Sequence, residues 1–180
     1  MLRLIEQRRS IRTYMKQSVE KDKLDKVLSV ALLAPSSRGR QPWSFIVVDD
    51  PGLLFDLSKA KAHGADFIKD APLAIVVVGD TEVSDACIED ASIAMAYMQL
   101  QAERSGLGSC WVQLRMRQTD TGLSSEAYVK ALFDIPEHYL VEAVLTIGYK
   151  GEVKDAKSIQ DVDATKVRFN NFKMPYPGSF

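Results

Sequence analysis

Cysteine and histidine are scarce in this chain, with two of each in 180 residues. Cys87 and Cys110 are too far apart for a C-x-x-C metal or redox pair. They read as two reduced, buried thiols in a reducing compartment. His63 and His138 lie in separate polar stretches, so neither a metal centre nor a Ser-His-Asp arrangement is expected. No apolar run exceeds strand length, which excludes a membrane-spanning helix. The opening Met1-Leu2-Arg3-Leu4-Ile5-Glu6 lacks the long apolar core of a secretory signal, and a cytoplasmic protein is expected. Charge of one sign is not in excess either: 23 Lys and Arg face 24 Asp and Glu, a net charge of -1. That balance exerts no overall pull on nucleic acid or an anionic membrane, so any anion site must be local. Internal repeats and low-complexity segments are missing. So are a P-loop and a dinucleotide fingerprint, because Gly106-Leu107-Gly108 precedes a strand and has no third glycine.

What the chain does contain is a regular alternation of helical and strand patterns. Its length suits one domain with an extended tail. A short helix begins at Leu2 and ends near Arg9-Ser10, followed by an extended piece from Ile11 to Met15. Leu24, Val27, Leu28, Ala31 and Leu32 recur at helical spacing and predict a helix over about 20–33, ended by Pro35. Strands are expected at Ser44–Val48, Leu73–Val78, Ser109–Gln113 and Val141–Ile147. Asp49-Asp50-Pro51-Gly52 is turn chemistry, and a short helix carries Leu53, Leu54 and Leu57. A long helix is expected over about 85–105, with Ala91, Ala94, Met98 and Ala102 on a small face beside Tyr97. Ser124 or Ser125 caps a further helix that runs to Phe133. Helices alternating with four strands indicate an α+β fold with a mixed central sheet flanked by helices.

The composition changes after Lys150. Residues 1–150 read as the folded body and residues 151–180 as a polar C-terminal arm. Val167, Phe169 and Phe172 on that arm would each leave roughly 1.5–3 kcal/mol of burial unused if it stayed in water. The arm is therefore expected to pack on a partner subunit, the alternative being a disordered tail.

Two polar clusters in the first quarter stand apart from this scaffold. One is Arg8-Arg9-Ser10-Ile11-Arg12. Successive residues on a helix point about 100° apart. A helix that breaks near Ser10 lets the extended segment return Arg12 to the side of Arg8 and Ser10. Two guanidinium forks and a hydroxyl then surround one point, which suits a phosphate. The alternative is a solvated basic helix end. The other cluster, Pro35-Ser36-Ser37-Arg38-Gly39-Arg40-Gln41-Pro42-Trp43, joins a helix to a strand. Its short hydroxyls and the Gln41 amide suit a polar chain or a heterocycle edge, while Trp43 is expected in the core. Arg38 and Arg40 either steer an anionic substrate or are simply exposed.

The two clusters at this spacing resemble the nitroreductase family, with its R-R-S-x-R and P-S-S-x-N-x-Q-P-W segments. Gly39 stands where the family usually has Asn. Gly106-Leu107-Gly108-Ser109-Cys110-Trp111-Val112-Gln113 is similar to a third family segment, G-L-G-[ST]-C-W-[IV]-G. Lys166-Val167-Arg168 through Phe172 is similar to the family's K-V-H close, with Arg168 in place of His.

The resemblance implies a nitroreductase-like, mainly antiparallel sheet and a homodimer holding FMN at its interface. Arg8, Arg9, Ser10 and Arg12 would come from one subunit and Pro35, Ser36, Ser37 and Gln41 from the other. It places the flavin N5 contact at the backbone of Gln113 and Leu114. Lys154 or Lys157 would complete the phosphate site. No acid–base set of the chain's own is evident, and Cys110 on an apolar strand is a poor nucleophile. That fits an enzyme whose chemistry belongs to its cofactor. The expected activity is FMN-dependent NAD(P)H oxidoreduction, passing electrons to a nitroaromatic, quinone or similar small aromatic acceptor. The alternatives are a non-catalytic FMN-binding sensor or carrier, and a same-fold flavin enzyme such as a reductive dehalogenase.

Overall fold

In the computed structural model, which describes residues 1–178, the β-branched runs pair as β1 (Trp43–Val48), β2 (Leu73–Asp80), β3 (Gly108–Gln113) and β4 (Tyr139–Gly148). They form one sheet in the order β1-β2-β4-β3. All three pairings are antiparallel. Among the described residues the expected mixed character reduces to a parallel bridge between Ser10 and Ser109. The cause lies in the connections. The chain leaves β1 at Val48 and enters β2 at the same end, where Val48 pairs with Ala74, so neighbours run in opposite directions.

Both faces of the central strands are covered, which is why β2 is apolar throughout. On one face, Ile75, Val77, Ala143, Leu145 and Ile147 pack under α2 (Lys21–Leu32) and α4 (Cys87–Arg104). Ala91, Ala94, Met98 and Ala102 are buried there as the spacing requires. Met95 joins them and Tyr97 turns outward. On the other face, Ala74, Val76, Val78, Val112 and Val144 pack against α3 (Pro51–Ser58) and α5 (Ser125–Phe133). Asp50 starts α3 by accepting from Leu53 N–H at 2.9 Å, with Pro51 in its first turn. Ser124, not Ser125, caps α5 by accepting from Ala127 N–H at 3.2 Å. Trp43 is buried in the core as expected.

The β2–β4 register slips between Val77 and Val78, which pair with Ala143 and Val141. Glu142 is thus the extra residue of a bulge in β4.

The first helix, α1 (Leu2–Gln7), ends one turn before Ser10, and Arg8 is already extended. Residues 10–15 then run beside the sheet edge. Ile11 N–H donates to Ser109 O at 3.0 Å and Met15 N–H to Tyr149 O at 3.0 Å. Residues 151–159 return along this segment. Gly151 N–H donates to Thr13 O at 2.8 Å and Lys157 N–H to Glu6 O at 2.9 Å. Beyond them come two 3-10 turns, Ile159–Asp161 and Ala164–Lys166, and a bridge between Arg168 and Pro175. Within this single chain Val167, Phe169 and Phe172 remain exposed, Phe172 at 85%.

Candidate functional site

Breaking α1 before Ser10 does what the first cluster requires. Ser10 bridges to Ser109, next to Cys110, and the charges of Arg12, Lys154 and Arg8 act on the Cys110 thiol. Burial nevertheless pushes that thiol above its ordinary pKa, so it is held as SH and is not a nucleophile. Lys154 reaches this cluster from the returning segment and donates to Ser10 O at 2.6 Å. Lys157 does not join it. That residue lies beside Leu2, Ile5 and Glu6 along a recess between α1 and the arm. Arg9 turns away, and its guanidinium donates to Asp155 O. Of the residues singled out from the sequence, Arg8, Ser10, Arg12 and Lys154 share one neighbourhood, and Arg9 ties down the segment that carries Lys154.

Glu152 braces this corner. Its Oε1 accepts from Arg12 N–H at 2.5 Å and Thr13 N–H at 3.2 Å. It also lies 3.3 Å from Lys154 Nζ. The Arg12 backbone bond, followed by those from Thr13 and Lys154, holds the Glu152 carboxyl below its usual range. Nothing in the sequence marks Glu152, because its role arises only from the return of the chain.

The second cluster sits elsewhere. Ser37 N–H donates to Asp90 Oδ1 at 2.8 Å, in the first turn of α4. Ser36 Oγ accepts from Gln41 N–H at 2.9 Å, and Gln41 Nε2 donates to Leu32 O at 3.3 Å. Pro35 is exposed just before them. Arg38 and Arg40 are exposed, and Arg40 donates to Val83 O at 3.2 Å. The first cluster instead adjoins Ser109, beyond the other end of α4. The intervening helix separates the two clusters by about 20 Å at 1.5 Å per residue. One chain therefore does not bring them together.

Gln113 ends β3 on the side of the second cluster. Its Oε1 accepts from Trp111 Nε1 at 2.8 Å. Its Nε2 lies 3.4 Å from both Glu142 Oε1 and Glu142 O. Leu114 has a fully buried side chain, and its N–H is engaged by Glu142 O at 3.3 Å. Asp90 and Glu142 are 3% and 5% exposed. Each keeps one buried carboxylate oxygen with no partner, Asp90 Oδ2 and Glu142 Oε2. Sequence reasoning missed both residues. The signal was there for Glu142, an acid inside the apolar run Val-Glu-Ala-Val-Leu, yet strand alternation reads it as a solvent-facing position.

One histidine also finds carboxylates. His138, Asp80 and Glu82 bring ligand-type atoms within 4.8 Å of one another. Asp80 Oδ1 is already engaged in its turn, accepting from Glu82 N–H and Val83 N–H, and Glu82 is exposed. Among the described residues no helix is long and apolar enough to cross a membrane.

A profile of the nitroreductase family matches residues 5–60 and 51–149, most of the folded body. The chain belongs to the nitroreductase family. A solved structure of an FMN-dependent nitroreductase from Clostridium difficile R20291 is 50% identical, covers 96% of this chain and all of its own, and superposes with a TM-score of 0.93. A candidate NADH dehydrogenase/NAD(P)H nitroreductase of Archaeoglobus fulgidus is 34% identical over 164 residues, 89% of this chain and 91% of its own. A solved structure described as a candidate NADH oxidase of Clostridium acetobutylicum is 31% identical, covers 93% of this chain and 99% of its own, and has a TM-score of 0.83. The antiparallel sheet with helices on both faces is thus the nitroreductase fold.

Proposed function

We propose that this nitroreductase-family protein binds FMN and uses it to pass reducing equivalents from NADH or NADPH to a nitroaromatic, quinone or similar small aromatic acceptor. The observation that carries the reading is that Lys154 donates to Ser10 O while Arg8 and Arg12 act with it on the neighbouring Cys110. Three cations and a hydroxyl suit a phosphate ester through charge-assisted hydrogen bonds. The carboxylate beside Lys154, Glu152, is engaged by backbone N–H groups and holds the Arg12 segment in place.

Bound FMN supplies the hydride chemistry that no side chain here offers. In this reading Arg8, Arg12 and Lys154 hold the phosphate. Arg9 contributes indirectly, by fixing the segment that carries Lys154. Gln113 and the adjoining backbone of Leu114 border the ring. The Leu114 N–H already serves Glu142 O, which leaves Gln113 as the better placed of the two. Pro35, Ser36, Ser37 and Gln41 would border the ring of a second protomer.

The separation of the two clusters along α4 supports a homodimer in which each cofactor touches both chains. The exposed Val167, Phe169 and Phe172 support an arm, residues 151–180, that lies on the partner. Ser179 and Phe180, the last two residues assigned to the arm, lie outside the described residues. We place the protein in the cytoplasm, in keeping with two cysteines that are both free and buried.

Anaerobic stopped-flow mixing tests the reading. Reduced nicotinamide should bleach the flavin absorbance of the FMN-loaded protein, and menadione should restore it. A loaded protein that neither NADH nor NADPH bleaches would be a binder and not this enzyme.

A further inference from the structure

Glu142 has no evident structural reason to be acidic. It is the extra residue of the β4 bulge, and bulges re-aim side chains near functional sites. Val141 and Val144 belong to the core layer under α3 and α5, and Ala143 to the layer under α4. The bulge turns Glu142 toward Gln113, which approaches it at 3.4 Å. Its own carbonyl meanwhile accepts from Leu114 N–H at 3.3 Å and Arg115 N–H at 3.1 Å. One residue thus holds both the Gln113 side chain and the backbone turn that follows it. Its Oε2 is buried without a partner, an arrangement that is costly while the group stays charged.

We infer that Glu142 is a positioning residue of the proposed flavin site: a buried acid that orients Gln113 and gains a proton when negative charge arrives beside it. This rests on the FMN reading above.

Burial, the dominant influence, raises the Glu142 pKa. The groups that act on it are Gln113 and Arg115 at the end of β3, which favour its charged form, and Glu89 of α4 and Glu126 of α5, which oppose it. An additional negative charge at the ring acts in the same sense as Glu89 and Glu126. The hydride from reduced nicotinamide brings an electron pair to the site, and the Glu142 carboxylate takes one proton from water in compensation. By linkage, a protonated Glu142 makes reduction easier.

The test uses FMN-loaded wild type and Glu142→Gln. The midpoint potential of bound FMN is titrated at successive pH values, and the infrared carbonyl band of a protonated carboxyl is recorded on the cofactor-free proteins at acidic to neutral pH. The potential should fall more steeply with pH in wild type than in Glu142→Gln, and the variant should lack the carboxyl band. Equal slopes in two loaded proteins would overturn the inference and leave the FMN reading standing. If the variant does not fold, the wild type decides alone: a slope with no proton uptake beyond that of free FMN overturns the inference. A wild type that binds no FMN overturns the reading itself and the inference with it.

Discussion

The hydroxyl of Tyr14 meets that of Thr146 at 2.7 Å across 132 residues of chain. The Tyr14 hydroxyl donates to Ile11 O at 2.6 Å and accepts from the Thr146 hydroxyl, whose Oγ1 also lies 3.3 Å from Cys110 O. This buried relay fixes the segment bearing Arg12 against β3 and β4. Tyr14→Phe leaves the Ile11 carbonyl and the Thr146 hydroxyl short of a partner. It should cost about 1–3 kcal/mol in urea unfolding. Burial raises the Tyr14 pKa above its ordinary 10.0, so the phenol is neutral at physiological pH. Its contribution fades only as pH climbs past that ordinary value, where the unfolded chain ionises first.

The cations of the first cluster should separate cleanly from their neighbours. Lys154→Ala and Arg12→Ala each remove a charge-assisted bond worth about 1.5–3 kcal/mol. FMN affinity by calorimetry should fall about 10- to 100-fold for each. Lys157→Ala and Arg40→Ala, which alter the α1 recess and the Val83 contact, should leave it near wild type.

Glu142→Gln should also change stability with pH. The folded protein holds the Glu142 proton more tightly than the unfolded chain, whose ordinary value is 4.5. Wild type therefore loses stability as pH rises from that value through the raised folded one, by about 1.4 kcal/mol per unit of displacement. The amide does not titrate. Thermal or urea unfolding at pH 4 and pH 8 should show the variant gaining on wild type at the higher pH.

Two glycines should respond in opposite ways. A Cβ on Gly148 would lie 2.7 Å from Pro72 and 2.8 Å from the Tyr14 ring. Gly148→Ala should cost about 1–3 kcal/mol in urea unfolding. Gly39 has φ of +67° and nothing within 4 Å of a Cβ. Asn tolerates that left-handed conformation, so Gly39→Asn should stay within about 0.5 kcal/mol of wild type.

Much of the fold was legible because the apolar periodicities are long and unambiguous. Leu73–Val78 is a strand wherever it is placed, and the alanine face of α4 permits only close packing. A helix break ahead of Arg12 was readable because a helix cannot turn three arginines to one side, but the helix ends at Gln7, earlier than the expected Arg9-Ser10. Met95 for Tyr97 was not readable, because a half-turn of helix phase depends on the neighbours in α2 and β2. That Lys154 reaches Ser10 while Lys157 lies in the α1 recess came only with the returning chain, which lays residues 151–159 beside 6–13. Glu142 was hidden by its bulge, since a single extra residue reverses the face that alternation assigns.

An 18-residue helix holds the two clusters apart. If each cofactor is clasped by groups from two chains, pigment retention and pairing of the chains form a single mass-action equilibrium. Simple dilution of the yellow protein should then release its colour as the chains part, with no denaturant or competing anion, and concentrating the mixture should bring the colour back.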